Sequence, residues 1–167
     1  MSFPGECAGP FLIFQVSGLD CAFRLDTVQE IVPMAALFTP PGTPPGVLGF
    51  LNLRGHAIAI LRLDRLFDLP EQRPGLHTPL VLVRAAGNLV GVLVERVRQI
   101  GSADLESWLP RDDRNVFHDC ALATFLSGTR VTHALAPDGI LLEHERSLVV
   151  ELQAAVQDRL RLLEAVL

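Results

Sequence analysis

The chain has no lysine, no tyrosine and no long apolar run. Without lysine, a Gly-x-x-x-x-Gly-Lys phosphate loop is impossible. All fourteen basic residues are arginine, which suits bidentate contacts but is explained more simply by codon bias in a GC-rich genome. Mean hydropathy is +0.35, yet the apolar runs at residues 47–51, 57–61 and 80–83 are cut by Arg, Gly, Pro or Asp. Each is far shorter than the roughly 18 residues of a spanning helix. Met1-Ser2-Phe3-Pro4-Gly5-Glu6 has neither a basic start nor an apolar stretch, so the expected location is the cytoplasm. A net charge of −5 with no arginine stripe argues against nucleic acid. Nine Phe, one Trp and no Tyr lie mostly in apolar runs, where an exposed stacking platform would need basic neighbours.

Catalytic patterns are missing as well. The cysteines Cys7, Cys21 and Cys120 are odd in number and widely spaced, and read as reduced thiols. His56, His77, His118, His133 and His144 form no pair at helical metal-ligand spacing, and no Gly-x-Ser-x-Gly elbow occurs. Asp112, Asp113, His118, Asp119 and Cys120 come nearest to a metal cluster, but without recurrent spacing they read as a solvated loop. No catalytic residue, metal or cofactor is expected, and the chain is expected not to be an enzyme.

What is present is strand after strand. Phe11-Leu12-Ile13-Phe14-Gln15-Val16 and Cys21-Ala22-Phe23-Arg24-Leu25 flank the turn residues Ser17-Gly18-Leu19-Asp20 and predict a hairpin. Residues 26–30 predict one helical turn capped by Asp26, and Ile31-Val32 resume extended chain. Residues 40–46, with four prolines, are a stiff exposed loop. Strands follow at 47–53 and 56–63, joined at Arg54-Gly55, then a short helical turn at 64–68. Residues 71–75 mark a seam between two halves. Beyond it come a hairpin at 79–85 and 89–95 through Ala86-Gly87-Asn88, and a strand carrying Val97 and Ile100. Residues 102–119 read as a loop with a short helix, and strands are expected at 121–126, 130–135 and 140–142. From Ser147, a plausible N-cap, Val149, Leu152, Val156, Leu160, Leu163 and Leu167 form one helical stripe. That stripe either packs across the chain's own strands or faces a partner, a second copy included. About ten short strands in two similar halves point to paired small β-barrels. Residues 1–167 are thus one mainly-β domain, with halves at 11–70 and 78–146 and a C-terminal helix at 147–167.

Gly46-Val47-Leu48-Gly49-Phe50-Leu51-Asn52-Leu53-Arg54-Gly55, entered from a Pro-rich loop, resembles the signature of the CheW family. Val28-Gln29-Glu30-Ile31, residues 90–97 and Asp138-Gly139-Ile140-Leu141-Leu142 follow in the family's order, so the resemblance covers roughly residues 11–148. It implies two five-stranded, SH3-like β-barrel subdomains. It also implies a non-enzymatic adaptor coupling methyl-accepting chemoreceptors to a CheA-type histidine kinase in chemotaxis or related signalling. The implied partners are the kinase's regulatory domain and the receptor's cytoplasmic tip, in arrays at the inner membrane, with no cofactor. Glu30 and Arg54 match a surface ion pair that orients a partner or serves structure. Val28, Gly91, Val97 and Ile100 match a receptor-helix groove, or are plain core, since alternation cannot separate a groove floor from a core. Gly55, with Leu53 and Ala57, matches the kinase-facing surface or only fixes a turn.

The chain departs from the family pattern where Pro and Asp are usual, with Ala59 and Arg62, and carries Glu95 for Asp. Arg62 is expected to reverse a charge near the kinase-facing half and to repel a partner arranged for the usual pattern. A dedicated pathway such as pilus motility, a divergent paralogue that competes for or caps an array, and a small ligand-binding β-barrel stay open as alternatives.

Overall fold

The computed structural model describes residues 9–102, 108–109, 117, 120–141 and 143–166. Among these the chain forms β1 (Pro10–Val16), β2 (Leu19–Arg24), β3 (Val28–Pro33), β4 (Val47–Leu53) and β5 (His56–Leu61). A one-turn helix α1 (Leu63–Leu66) leads to β6 (Pro79–Ala85), β7 (Asn88–Leu93), β8 (Arg96–Ser102) and the two-residue β9 (Trp108–Leu109). Then come β10 (Ala121–Ser127), β11 (Arg130–Leu135) and the helix α2 (Glu143–Val166). The fold is mainly β in two sheets with a C-terminal helix, as expected.

The hairpins β1–β2, β4–β5 and β6–β7 close through Ser17-Gly18, Arg54-Gly55 and Ala86-Gly87. In each turn both residues have positive φ, for example 51° at Arg54 and 87° at Gly55. Two-residue turns of that hand match the strands' own twist. One sheet runs β8-β1-β2-β11-β10-β9 and the other β3-β6-β7-β5-β4. Each contains one parallel pair, β2 with β11 and β5 with β7. The expected seam at 71–75 lies between strands of the same sheet, because sheet membership switches after β2 and again after β7.

The second sheet curls. Beyond β3 the chain returns to the outer edge of β4, where Phe38 and Phe50 exchange N–H···O bonds of 2.9 and 2.7 Å. Strand alternation then feeds two cores at once. Ala57, Ala59 and Leu61 of β5 and Val81 and Val83 of β6 face a central cluster between the sheets, which also holds Phe14, Phe23 and Phe117. Ile58, Ile60, Leu80 and Leu82 point the other way, into the curl. β1 behaves alike: Leu12, Phe14 and Val16 face the centre, while Phe11 and Ile13 pack with Phe125 behind the first sheet.

Several local expectations are corrected. The turn after β2 is a 3-10 turn at Leu25–Thr27 with Arg24 at its N-cap; Asp26 pairs with Arg24 at 2.6 Å instead of capping, and Val28 already opens β3. β5 stops at Leu61, where the chain turns into α1. No strand forms at 140–141: Pro137–Gly139 make a 3-10 turn and Ile140 is helical, with φ −66° and ψ −43°. The helix α2 starts at Glu143, so Ser147 lies inside it. The strands expected at 121–126 and 130–135 match β10 and β11 to within one residue. The acidic cluster at Asp112, Asp113, His118 and Asp119, and Leu167 of the stripe, lie outside the described residues.

The helical stripe packs on the chain's own sheets through Val149 and Val156, both buried, with Leu152 and Leu160 half-buried. It then leaves the body, and Leu163 is 60% exposed. Phe14 sits at the middle of the central cluster with no exposed surface, its ring 4.8 Å from that of Phe23. Phe14→Ala is expected to cost about 3–5 kcal/mol of unfolding free energy, read by urea denaturation. A loss under about 1 kcal/mol would mean that the two sheets are held together elsewhere.

Candidate functional site

The signature segment is built around a turn. Asn52 Oδ1 accepts the Gly55 backbone N–H at 2.9 Å, which fixes the chain reversal and aims Arg54 outward. The Arg54 guanidinium meets Glu30 of β3 fork to fork, Nη1–Oε1 3.3 Å and Nη2–Oε2 3.4 Å. β3 and β4 are the two edges of the curled sheet, and among the described residues no ladder joins them. The ion pair therefore spans the gap between them. With Arg54 74% and Glu30 28% exposed, it contributes little to stability and remains accessible.

Helix α2 lies against the same turn. Gln157 accepts the Ala57 N–H at 2.9 Å and donates to the Gly55 carbonyl at 2.7 Å, while Gln153 donates to the Ala57 carbonyl at 2.7 Å. β5 pairs with β7 only from Ala59 onward, so these amides satisfy backbone groups that the sheet leaves open. A side chain at Gly55 would also begin 2.6 Å from Glu164 Oε1. Gly55 and Ala57 thus lie partly under α2, and Leu53 is half-buried. Nothing in the local sequence pattern marks Gln153 and Gln157 beyond their place on the polar flank of the stripe.

The four groove positions divide. Val97 lies opposite Phe14 and Ile100 opposite Leu12, and a register shift between Ile13 and Phe14 puts both on the central-cluster side of β8 despite their odd spacing. Val97 is half-buried against that cluster, as is Val28, whereas Ile100 is 61% exposed. Gly91 is elsewhere: it is buried in β7 facing into the curl, where a Cβ would stand 2.4 Å from Ile60 Cδ1 and 3.1 Å from Leu82 Cδ2. Its missing side chain makes room for those two residues.

Arg62 is not the surface charge that its sequence position suggested. It is 3% exposed and grips Asp64 through Nε–Oδ1 at 3.1 Å and Nη2–Oδ2 at 2.6 Å, with a further bond to the Gln72 carbonyl at 2.6 Å. The expected repulsion of a partner is therefore withdrawn: the charge is neutralised inside the chain, where it ties α1 to the segment at Gln72. Ala59, the other departure, has no exposed surface and faces the central cluster. Burial pushes the Asp64 carboxyl upward, but the Arg62 guanidinium and the backbone N–H groups of Gln72 and Arg65 outweigh it and hold it below its ordinary 3.8.

Two other groups in or beside the core are shifted by burial. Burial pushes the Cys21 thiol up and the His133 imidazole down, the latter against the pull of Asp20. Among the described residues no three His, Cys, Asp or Glu side chains gather as a metal site.

Two mixed, mostly antiparallel sheets around a shared core, with an exposed ion pair at a hairpin tip and a helix laid against the same turn, define a small β-rich domain. Comparison with known proteins names its family. The model of the CheW-like domain matches residues 10–145, and the chain belongs to that family. The chemotaxis protein CheW of Helicobacter pylori is 27% identical over 89 residues, covering 53% of this chain and 54% of that protein. The chemotaxis protein CheW of Bacillus subtilis is 25% identical over 89 residues, covering 53% and 57%. The matched stretch thus spans about half the length of these curated relatives. The crystal structure of the scaffolding protein TtCheW from Thermoanaerobacter tengcongensis superposes with a TM-score of 0.75 at 17% identity, over 82% of this chain and 90% of that one, and so shares the fold.

Removing the partner of a buried guanidinium is costly. Asp64→Asn is expected to lower unfolding free energy by about 3 kcal/mol, because the buried Arg62 would keep only the exposed Glu71 carboxylate, 3.9 Å away, as counter-charge. The linkage to pH has a fixed sign. A carboxyl whose folded pKa is depressed supplies stability that is complete above its unfolded value and lost as pH falls through the folded one. Unfolding midpoints of the wild type should therefore drop below about pH 4, and Asp64→Asn should flatten that limb.

Proposed function

We propose that the chain is a non-enzymatic coupling adaptor that joins the regulatory domain of a CheA-type histidine kinase to the cytoplasmic tip of a methyl-accepting chemoreceptor. The observation that carries this reading is the family match, which runs through both sheets, from residue 10 to residue 145. The names of the relatives support a chemotaxis setting, and the name of the structural neighbour supports a scaffold. Among the described residues no helix is long and apolar enough to cross a membrane, and recruitment to receptor arrays at the inner membrane would come through the partners.

In this reading the two contacts fall on different parts of the chain. The kinase side takes the hairpin tip, where Arg54 and Glu30 orient an approaching surface and Gly55 lets the turn lie flat under α2. The receptor side takes the face of β8, where Ile100 offers an exposed apolar knob beside the half-buried Val97; Val28, half-buried on β3 of the other sheet, would add to the groove from there. Gly91 contributes by keeping β7 thin between Ile60 and Leu82. With Arg62 enclosed, its departure from the family pattern gives no ground for a changed partner. Pilus motility or surface sensing remains a pathway in which the same two contacts would serve.

The test uses the purified regulatory domain of a CheA-type kinase and a chemoreceptor-tip fragment from the same organism, titrated calorimetrically. Arg54→Glu should lower stability by no more than about 1 kcal/mol and weaken binding at least about tenfold. Ile100→Asp, on an exposed edge position, should leave the melting temperature unchanged and abolish saturable receptor binding. If the wild type binds neither fragment, the adaptor reading fails.

A further inference from the structure

The curled sheet is open at the end beside the Arg54–Gly55 turn. The opening is a pocket of about 440 Å³ with an apolar floor of Leu53, Ile58 and Leu89. Its rim carries Arg54, His56 and Arg84, and the wall is α2, fixed there by Gln153 and Gln157. Mouths of β-barrels are recurrent ligand sites because an apolar floor and a few polar rim groups converge there.

The charges at this mouth are unequal. The chain as a whole is acidic, at −5, yet the lining holds two guanidiniums and no carboxylate. Two of the chain's own carboxylates stand close by without lining it: Glu30 pairs with Arg54, and Glu164 lies over Gly55. The Glu30–Arg54 bonds, at 3.3 and 3.4 Å, are long for a charged pair and leave Arg54 with donors to spare. Arg84 is exposed and spends one N–H on a neutral acceptor, Gln29 Oε1 at 3.2 Å. Among the described residues no carboxylate lies within ion-pair distance of Arg84.

We propose that this mouth receives an acidic side chain of a protein partner, a glutamate whose stem lies on Leu53, Ile58 and Leu89 and whose carboxylate pairs with Arg84, with Arg54 as the second donor. An apolar side chain would fill the floor and leave the guanidiniums unused. A bare inorganic anion would use the guanidiniums and leave the floor empty. The carboxylate preference is a property of the mouth, while the identity of the partner as kinase or receptor rests on the adaptor reading above.

The probe is N-acetyl-glutamate N-methylamide, titrated into the isotopically labelled full chain and followed by the backbone amides of Ala57, Ile58 and Leu89 and the Nε–H of Arg84. Saturable shifts are expected, weakened about fivefold by Arg84→Gln, the size of an exposed ion pair. They should also weaken as ionic strength rises from roughly 0.05 to 0.3 M. The glutamine analogue should give no saturable shift. Equal binding of both analogues, indifference to Arg84→Gln in a variant whose spectrum is otherwise native, or absence of saturation overturns the proposal. The same variant is then titrated with the kinase and receptor fragments. Wild-type binding that Arg84→Gln leaves intact sinks the mouth as a partner site and spares the adaptor. Saturation by the glutamate probe with no fragment bound sinks the adaptor and spares the mouth's chemistry.

Discussion

Burial of strands on both faces is the constraint on which the rest depends. In β1, β5, β6 and β7 successive residues feed different cores, so each strand is a shared wall and not one side of a sandwich. Such a strand has no solvent face on which to carry a binding residue. Sites are driven to places where the walls end: hairpin tips, the edge strand β8, and the open end of the curl. The Arg54–Gly55 tip, Ile100 and the mouth lined by Arg84 are places of this kind.

The ion pairs separate along the same line. Asp20 is 3% exposed and is held by Arg130 at 2.6 and 3.0 Å and by Gln15 at 2.9 Å, which ties β1, β2 and β11 together. Burial raises the Asp20 carboxyl, yet those bonds bring it below its ordinary value. Arg62–Asp64 does the same for α1. Breaking either leaves a desolvated charge, so their service is to hold the fold. Glu30–Arg54 differs in kind, since water can replace either member at small cost. A pair that the fold can lose cheaply is free to exchange its partner for one on another protein.

Much of this was legible in the sequence because hairpins are local. Gly at the second turn position and apolar runs of strand length placed the β-hairpins to within about two residues, and the helical stripe found α2 but not its first four residues. What escaped depends on distance along the chain. The parallel pairs β2–β11 and β5–β7 join segments that share no turn, so nothing local announces them or the switch of sheet membership they bring. Continuous apolar runs hid which face of β7 Gly91 would take. The bulge beside Val97 restored a common face to two residues whose spacing denied it. Asp26 was expected to cap a helical turn, but an arginine two residues earlier competed for its carboxylate. The stripe of α2 was visible, whereas the role of Gln153 and Gln157 was not, since it follows from β7 starting its pairing two residues late.

Arg62 shows how far a charge can mislead when only its place in a motif is known. Its sequence neighbours suggested a reversed surface potential, and 3% exposure with a bidentate partner removes that potential from the surface. A field that a partner meets is set by charges that water also meets. Beside the Arg54–Gly55 turn those include Arg54, Arg84 and Glu30, carried by a turn and two different strands. Discrimination among related kinases or receptors would follow from that small exposed set, because a rim charge changes the rate and salt dependence of encounter while an enclosed one changes stability alone. The departure at Arg62 therefore acts on the fold alone: its charge is spent inside the chain as a strut between α1 and the segment at Gln72.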